Sequence, residues 1–320
     1  MKLTNVSVIS TVLNEGTKIK ELLEGLASQT LLPGEIIIVD AGSEDETVPT
    51  LQEYSSLLPL KVIICKKATR GKGRNIAIKE AKGEIIASID GGCIPYSDWL
   101  EKLVSPFYQD PTIDVVSGFY EPIISSPMQE ALACLTVPQL RDINPDDFLP
   151  SSRSIAFRKR IWEKVGGYPE WMKSAEDTLF DLKLKQAGAK FFFQPNAKVK
   201  WRIRNSLRGV FRQFYEYSFW DAQAGVFFPH YHKIWLYIDG VALLILSLFF
   251  PWLLLFLLAG FLLYISRYFK KARKRQISLS AYLWLLPVLL AYDLGNVSGF
   301  VMGKFFRIFK ISKGGEIIVC

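Results

Sequence analysis

The first ninety residues alternate short apolar runs with stretches that have helical spacing. Four runs have the length and composition of buried strands: 6–12, 35–40, 61–65 and 85–90. Between the first two, residues 18–29 place their leucines and isoleucine on one helical face, and 47–57 and 73–81 also predict helices. Apolar runs without polar alternation indicate strands covered on both faces. The pattern therefore predicts an α/β domain with βαβ units, right-handed connections and a mainly parallel sheet.

The middle of the chain is less regular and predicts shorter elements. Two short strands are expected at 154–157 and 191–193. Helices are expected at 158–165 and 175–187, each ended by glycine. The aromatic and basic stretch 207–224 predicts an amphipathic helix at a membrane surface.

The last third is strongly apolar and predicts membrane segments. Residues 234–265 exceed one untilted span, and Pro251 divides them, so we expect a hairpin of 234–250 and 252–266. A third segment, 279–302, leaves three topologies open: a span, a re-entrant helix or an in-plane helix. It carries a helix-packing face at four-residue spacing, which could also join two copies of the chain, namely Gly295, Gly299 and Gly303.

Positive charge is concentrated beside these apolar segments. The formal net charge is +8 and the pI is about 9.1. Much of the excess lies in two clusters: Arg267, Lys270, Lys271, Arg273, Lys274 and Arg275, then Lys304, Arg307, Lys310 and Lys313. This placement favours anchoring to anionic headgroups, with the first cluster in the cytosol. No zinc-finger or RNA-stacking motif favours a nucleic-acid partner.

The cysteines predict reduced thiols in a cytosolic domain. The four cysteines lack C-x-x-C spacing, so we expect no metal cluster built on them.

Acidic residues close two of the predicted strands. Asp40 ends the apolar run of the second strand and is followed by Gly42 and Ser43, while Asp90 ends the fourth strand. Open α/β sheets bind ligands at the carboxyl ends of their strands. A turn that caps the following helix explains the residues after Asp40 equally well when they are taken alone.

A basic, glycine-rich turn precedes the third helix. The sequence R-G-K-G-R-N occupies 70–75. Glycines let the backbone approach a phosphate, a helix N-terminus favours anions, and Lys72 and Arg74 add positive charge. No Walker lysine–serine pair is present, which argues against an NTPase.

These segments, in this order, resemble family 2 glycosyltransferases over about residues 6–220. The matching stretches are V-I-S-T-V-L-N-E at 8–15, V-D-A-G-S-E-D-E-T at 39–47, the basic turn, and the strand I-I-A-S-I-D-G-G at 85–92. In the second half they are S-S-R-S-I-A-F-R at 151–158, V-G-G-Y at 165–168 and A-E-D-T-L at 175–179. The resemblance implies a GT-A fold and a nucleotide-sugar site formed by Thr11, Glu15, Asp40, Lys72, Arg74 and Asp90.

The resemblance also implies a divalent metal, with one departure from the family pattern. The D-x-D motif of the family holds Mn²⁺ or Mg²⁺ against the diphosphate, because a hard cation needs oxygen ligands. Here the second acid is Gly92, and only Asp90 remains. Either Asp90, the diphosphate and waters hold the metal, or Lys72 and Arg74 carry more of the leaving-group charge.

By the same resemblance, the acid pair at the start of the 175–187 helix is the catalytic element. Asp177 is the expected general base, with Glu176 in support, although helix N-termini favour acids in any protein. Acceptor-side residues are expected at Arg153, Trp201 and Arg204. The last two also fit side chains that snorkel at a membrane surface.

The sequence thus predicts a GT-A domain at 1–230, with a nucleotide-sugar half at 1–120 and an acceptor half with interfacial helices at 121–230. Membrane segments at 234–303 and a basic cytosolic tail at 304–320 follow. The expected activity is inverting transfer of a sugar from a nucleotide-diphosphate donor to a hydroxyl of a lipid-linked or surface glycan. Two alternatives stay open: a polyprenyl-phosphate sugar synthase, whose acceptor needs no strong base, and a non-catalytic membrane scaffold.

Overall fold

The computed structural model describes residues 2–309 and forms two compact units. The first contains Met1–Ile123 and Pro138–Arg202, and the second contains Ile124–Val137 and Ile203–Cys320. The first unit therefore ends at residue 202, earlier than the boundary expected at 230. Residues 203–230 belong with the apolar helices because the amphipathic helix in this stretch packs along one of them.

The first unit has an eight-stranded sheet with helices on both faces. Its strands are β1 Lys2–Val12, β2 Leu32–Asp40, β3 Leu60–Ile64, β4 Ile85–Ser88, β5 Cys93–Pro95, β6 Val115–Ile123, β7 Ile155–Arg158 and β8 Phe191–Arg202. Its helices are α1 Ile19–Ala27, α2 Thr47–Tyr54, α3 Arg70–Glu80, α4 Trp99–Gln109, α6 Lys159–Lys164 and α7 Glu176–Gln186, while α5 Pro127–Thr136 lies in the second unit.

The strand order is β3-β2-β1-β4-β7-β6-β8-β5. The first four strands are parallel as predicted, whereas β7 is antiparallel to both of its neighbours. Val8 and Ile36 enter the core on one face of the sheet, and Ile9 and Ile37 enter the core on the other. Both faces are therefore covered, which explains why these strands read as continuous apolar runs.

The strand β8 is much longer than the predicted 191–193. Pro195 lies inside it, and proline cannot donate a ladder hydrogen bond, so the sequence argues against a continuous strand there. The pairing of β6 with β8 is irregular between Ser117 and Phe119, whose partners are Phe193 and Lys198. This irregularity accommodates the proline and lets the strand continue to Arg202.

The second unit is helical: α5, α8 Leu207–Ala224, α9 Lys233–Leu246, α10 Leu253–Arg275 and α11 Leu279–Ile308. The bounds of α8 match the prediction, and the helical break between α9 and α10 contains Pro251, as expected. By length and composition, α10 and α11 can cross a membrane, whereas α9 has only 14 residues. The expected basic tail begins inside α11, and residues 310–320 lie outside the described residues.

The glycine face of the third apolar segment packs within the chain. A Cβ atom on Gly299 would lie 2.3 Å from the Tyr215 carbonyl oxygen of α8, and Gly295 and Gly303 meet α8 in the same way. Such close backbone approach is what small residues at helix interfaces permit. Because α8 of the same chain covers this face, the structure gives no support to the expectation of a homo-oligomer through it.

A polar cluster joins the three apolar helices. Lys233 Nζ lies 3.2 Å from Asp293 Oδ1, and the hydroxyl of Tyr237 donates to Asp293 Oδ2 at 3.1 Å. The hydroxyl of Tyr264 also donates to Asp293. The buried carboxylate is therefore paired and hydrogen-bonded, as a charge in an apolar setting must be.

Two residues of the first basic cluster bind the end of α5. Arg275 donates to the carbonyl oxygens of Cys134 at 3.0 Å and Val137 at 2.7 Å, and Lys271 donates to that of Leu135 at 3.0 Å. The last carbonyls of a helix need such partners. These two cations therefore connect α10 to α5 as well as contributing to the charge of this region.

Candidate active site

Small residues let the start of α3 lie against the end of β1. A Cβ atom on Gly73 would lie 2.5 Å from the Thr11 methyl group, and one on Gly71 would lie 2.8 Å from the Pro169 carbonyl oxygen. The hydroxyl of Thr69 caps the helix by accepting from the backbone N–H of Lys72 at 3.2 Å. Thr11, an expected donor-site residue, therefore has a packing role here.

Arg74 is the centre of the site, but it does not face solvent. Its side chain is only 2% exposed. It donates to Asp90 Oδ1 at 2.8 Å and to Glu176 Oε1 at 2.5 Å. A buried guanidinium needs nearby carboxylates and Arg74 has two, while its expected role in donor binding stays a prediction. Arg74 instead joins the end of β4 to the start of α7.

The two carboxylates stabilise the charge of Arg74, whereas burial outweighs Arg74 at Glu176 and, with the charge of Asp177, raises the pKa of Glu176. Burial opposes the charge of Arg74, but Glu176 and Asp90 outweigh it and raise the pKa of Arg74 above its ordinary value. Burial would likewise raise the pKa of Asp90, but Arg74, Arg153 and Arg70 outweigh it and lower that pKa. Asp90 is therefore ionised at neutral pH.

The carboxylate of Glu15 lies beside Gly91 and Gly92, the two residues that follow Asp90. The side chain of Asp90 is 34% exposed, and its Oδ2 atom has no hydrogen-bond partner among the described residues. Glu15 follows β1, and its backbone N–H donates to Thr47 Oγ1 at 2.9 Å. Burial and the charge of Asp90 raise the pKa of Glu15. These oxygens are available to a ligand.

Asp40 orders its own loop. It is fully buried, and Oδ1 accepts from the backbone N–H groups of Gly42 and Ser43, both at 2.8 Å. Its Oδ2 accepts from the Ser43 hydroxyl at 2.5 Å. Asp40 therefore shapes the loop at the carboxyl end of β2, and its expected contact with the donor stays a prediction. Neither Ser43 nor Asp45 is the helix cap expected in this turn, because the N-cap residue of α2 is Glu46, which has no side-chain cap bond.

Asn75, which the sequence did not single out, fixes the glycine pair after α6. Its Oδ1 accepts from Trp162 Nε1 at 3.0 Å and from the backbone N–H of Tyr168 at 2.9 Å. Its Nδ2 donates to the Tyr168 carbonyl at 2.9 Å and to Glu170 at 3.0 Å. Gly167 has φ +75°, and a Cβ there would lie 2.7 Å from Asn75 Oδ1. Only glycine fits, which explains the G-G-Y pattern.

Asp177 lies at the N-terminus of α7 and is half-buried. Its Oδ1 accepts from the backbone N–H of Thr178 at 3.0 Å, and the backbone N–H of Ser152 points to Oδ2 from 3.4 Å. Ala175, two residues earlier, has φ +58°, a left-handed conformation that is uncommon for a residue with a side chain. The turn therefore holds Glu176 towards Arg74 and leaves Asp177 without an ion pair in the described part of the chain.

The three expected acceptor-side residues divide between the units. The Arg153 guanidinium lies 4.0 Å from the Trp201 ring centroid and 5.1 Å from that of Tyr120, and its charge acts on Asp90. Arg204, in contrast, donates to Gln213 Oε1 at 3.1 Å within the second unit. Of the three, Arg153 and Trp201 are in contact with each other, and the acceptor-side role of all three stays a prediction.

Arg70 is a second residue that the sequence analysis passed over. It is exposed, and its charge acts on Glu15, Asp90 and Glu176. Residues four apart share a helix face, whereas residues two apart do not. That spacing places Arg70, rather than the exposed Lys72, on the face of Arg74.

No group of three or more histidine, cysteine or acidic residues that could hold a metal occurs between residues 2 and 309. Cys65, Cys93 and Cys134 are free thiols. A metal here would therefore need ligands from outside the protein in addition to Asp90.

The family "Glycosyl transferase family 2" matches residues 7–164. Glycosyltransferase AglE of Haloferax volcanii is 28% identical over 194 residues, which are 59% of this chain and 64% of AglE. The O-antigen chain rhamnosyltransferase RfbN of Salmonella typhimurium is 25% identical over 223 residues, 66% of this chain and 70% of RfbN. The chain thus spans less than two thirds of the first of these relatives.

Solved structures with this fold include two with nucleotide sugars. The mannosyltransferase PcManGT from Pyrobaculum calidifontis, in complex with GDP-Man and Mn²⁺, has a TM-score of 0.55 at 19% identity, covering 96% of this chain and 88% of that one. Residues 1–349 of S. aureus TarS, in complex with UDP-GlcNAc, have a TM-score of 0.54 at 20% identity, covering 96% and 92%. At these identities the likeness shows the GT-A fold alone.

Proposed function

Because this chain belongs to glycosyltransferase family 2, and is therefore a glycosyltransferase, we propose that it transfers a sugar from a nucleotide-diphosphate donor to an acceptor hydroxyl with inversion. The observation that carries the proposal is the buried Arg74 between Asp90 and Glu176. Arg74 contacts both Asp90 and the first acid of α7, which supports the proposal that donor and acceptor groups share one site. Asp177, next to Glu176, is then available for the acceptor.

In the proposed reaction, the acceptor oxygen attacks the anomeric carbon from the side opposite to the diphosphate. The new glycosidic C–O bond forms as the bond between that carbon and the diphosphate oxygen breaks. Asp177 takes the proton of the attacking hydroxyl. The exposed Arg70 stabilises the negative charge that develops on the diphosphate. Arg153, which lies against the Trp201 ring, adds positive charge to the same region.

A divalent metal fits the oxygens that face the site. Mn²⁺ or Mg²⁺ prefers oxygen ligands and commonly keeps waters and substrate phosphates among them. Asp90 Oδ2, which has no hydrogen-bond partner in the described part of the chain, would be a ligand from the protein. The metal would supply charge stabilisation to the leaving diphosphate. The complex of PcManGT with GDP-Man and Mn²⁺ supports this proposal by analogy.

We further propose that the apolar helices anchor the enzyme to a membrane with its catalytic unit in the cytosol. Two helices have the length and composition to span. Arg275 and Lys271 bind the end of α5, a segment that interrupts the catalytic unit in the sequence. The proposed acceptor is therefore lipid-linked or a surface glycan. Relatives that act on such polymers include RfbN and the poly(ribitol-phosphate) β-N-acetylglucosaminyltransferase TarS.

The test is donor binding and transfer by the full chain in detergent. UDP-, GDP- and dTDP-sugars are screened for thermal stabilisation, since a ligand that binds only the folded state raises the unfolding temperature. The donor found is then used to measure transfer by Asp90→Asn. Transfer by this variant at the wild-type rate would contradict the assignment.

Asp98→Asn is the matched control for this experiment. Asp98 lies eight residues further on, and its pair with Lys102 is about 40% exposed on both sides. Surface pairs of this kind contribute little. The control variant should therefore bind the donor and transfer the sugar as the wild type does.

A further inference from the structure

The two glycines after Asp90 do not have the same explanation. Neither Gly91 nor Gly92 has a positive φ, so backbone conformation does not require either. A Cβ atom on Gly91 would lie 2.7 Å from a methyl carbon of Val12, which leaves no room. A Cβ atom on Gly92 would meet a single neighbour, Glu15 Oε2, at the ordinary contact distance of 3.7 Å. Position 92 therefore has room for a side chain, and a carboxylate from another loop lies beside it.

That carboxylate has no other partner that accounts for its position. Within the range 2–309, no hydrogen bond or ion pair involves the Glu15 carboxylate. Its backbone N–H donates to Thr47, so the loop that carries it is fixed. The Glu15 carboxylate thus lies beside the two residues that follow Asp90, and neither it nor Asp90 Oδ2 accepts from a donor of the described chain, whereas Asp90 Oδ1 accepts from Arg74. The negative charges of Glu15 and Asp90 repel each other. A cation between them would relieve this repulsion.

We propose that Glu15 is the second carboxylate ligand of a divalent-cation site completed by Asp90 and the donor diphosphate. In the D-x-D pattern the second acid stands at position 92, and an aspartate there would carry its carboxylate one carbon beyond its Cβ. Glu15 Oε2 lies next to that place, so the acid is supplied from the end of β1 instead of from the turn after β4. The inference rests on the proposed nucleotide-sugar function.

The experiment measures Mn²⁺ binding by the full chain in detergent. The protein is titrated with Mn²⁺, either alone or in the presence of UDP or GDP. Free Mn²⁺ is measured at each step by its electron paramagnetic resonance signal. Glu15→Gln should raise the Mn²⁺ dissociation constant by about tenfold or more, since it removes a ligand charge. Binding of UDP and GDP without metal is measured in parallel for each variant. Glu46→Gln, an exposed acid at the start of α2, is the control and should bind Mn²⁺ like the wild type.

A transfer of the ligand between loops tests the geometry. The double variant Glu15→Ala/Gly92→Asp places the acid at position 92 and should regain most of the Mn²⁺ affinity that Glu15→Ala loses. Unchanged Mn²⁺ affinity in Glu15→Gln would overturn the inference. So would loss of metal-free nucleotide binding with Mn²⁺ affinity intact, which would make Glu15 a nucleotide ligand.

Failure of the proposed function gives a different result. If the wild type binds neither nucleotide nor sugar nucleotide, the nucleotide-sugar assignment fails. If it binds nucleotide but Mn²⁺ binds no more tightly to wild type than to Glu15→Gln, only the cation site fails. Because Glu15→Gln alone gives this answer, the outcome does not depend on whether the double variant folds.

Discussion

Replacement of Arg74 by methionine tests whether the buried ion pair holds the catalytic unit together. The change removes the guanidinium and keeps an unbranched apolar side chain. Glu176, whose side chain is 3% exposed, is then left as a buried carboxylate without a partner. Such a loss costs about 3–5 kcal/mol, out of a total unfolding free energy of roughly 5–15 kcal/mol. Asp90 adds less, because water reaches its side chain, which is 34% exposed.

This cost can be measured as a difference in unfolding free energy. Urea unfolding of the full chain in detergent, followed by tryptophan fluorescence, gives it directly where the slope with urea is unchanged. For a unit of this size, 3–5 kcal/mol corresponds to a fall of roughly 6–20 °C in unfolding temperature. Lys61→Met is the control, since its pair with Glu80 is 52% and 48% exposed and should contribute at most about 1 kcal/mol.

The double variant Arg74→Met/Glu176→Gln separates charge from packing. With the carboxylate neutralised, the remaining cost is that of a buried amide with incomplete hydrogen bonding, about 1–3 kcal/mol. The double variant should therefore be more stable than Arg74→Met alone. A double variant less stable than the single one, or a single variant within about 1 kcal/mol of wild type, would refute the role assigned to this pair.

Three further predictions concern catalysis, helix packing and topology. Asp177→Asn should keep donor binding and lose roughly 10²–10⁴ in transfer rate, because the base is neutralised; a wild-type rate would favour the lipid-phosphate acceptor, which needs no base. Gly299→Leu should destabilise α11 against α8 by about 1–3 kcal/mol in thermal unfolding, whereas Gly260→Leu, with open space at its Cβ, should not; equal effects would contradict the packing. A cysteine at position 271 should react with a membrane-impermeant reagent only after cell lysis, and labelling from outside would exclude the cytosolic placement.

The parallel half of the sheet could be predicted because its central strands are covered on both faces. The run 36–39 of β2 is therefore apolar without interruption, whereas β3 is only partly buried. The later strands lack this uniformity. The strand β8 contains Pro195 and exposed positions, and its length depends on an irregular pairing with β6 that local sequence does not specify. The extension of β8 to Arg202 therefore could not be predicted from the local sequence.

The candidate site shows a related limit, because the residue types were predicted better than their roles. Arg74 and Asp90 are expected to contact the donor, and the structure in addition pairs them with each other, because a buried guanidinium needs a carboxylate partner. Such pairing depends on which loops meet, and the distance from Arg74 to Glu176 along the chain is 102 residues. Glu15 and Gly92 make the same point. An acid missing from one loop is matched by an acid beside it from another, and only the fold brings the two positions together.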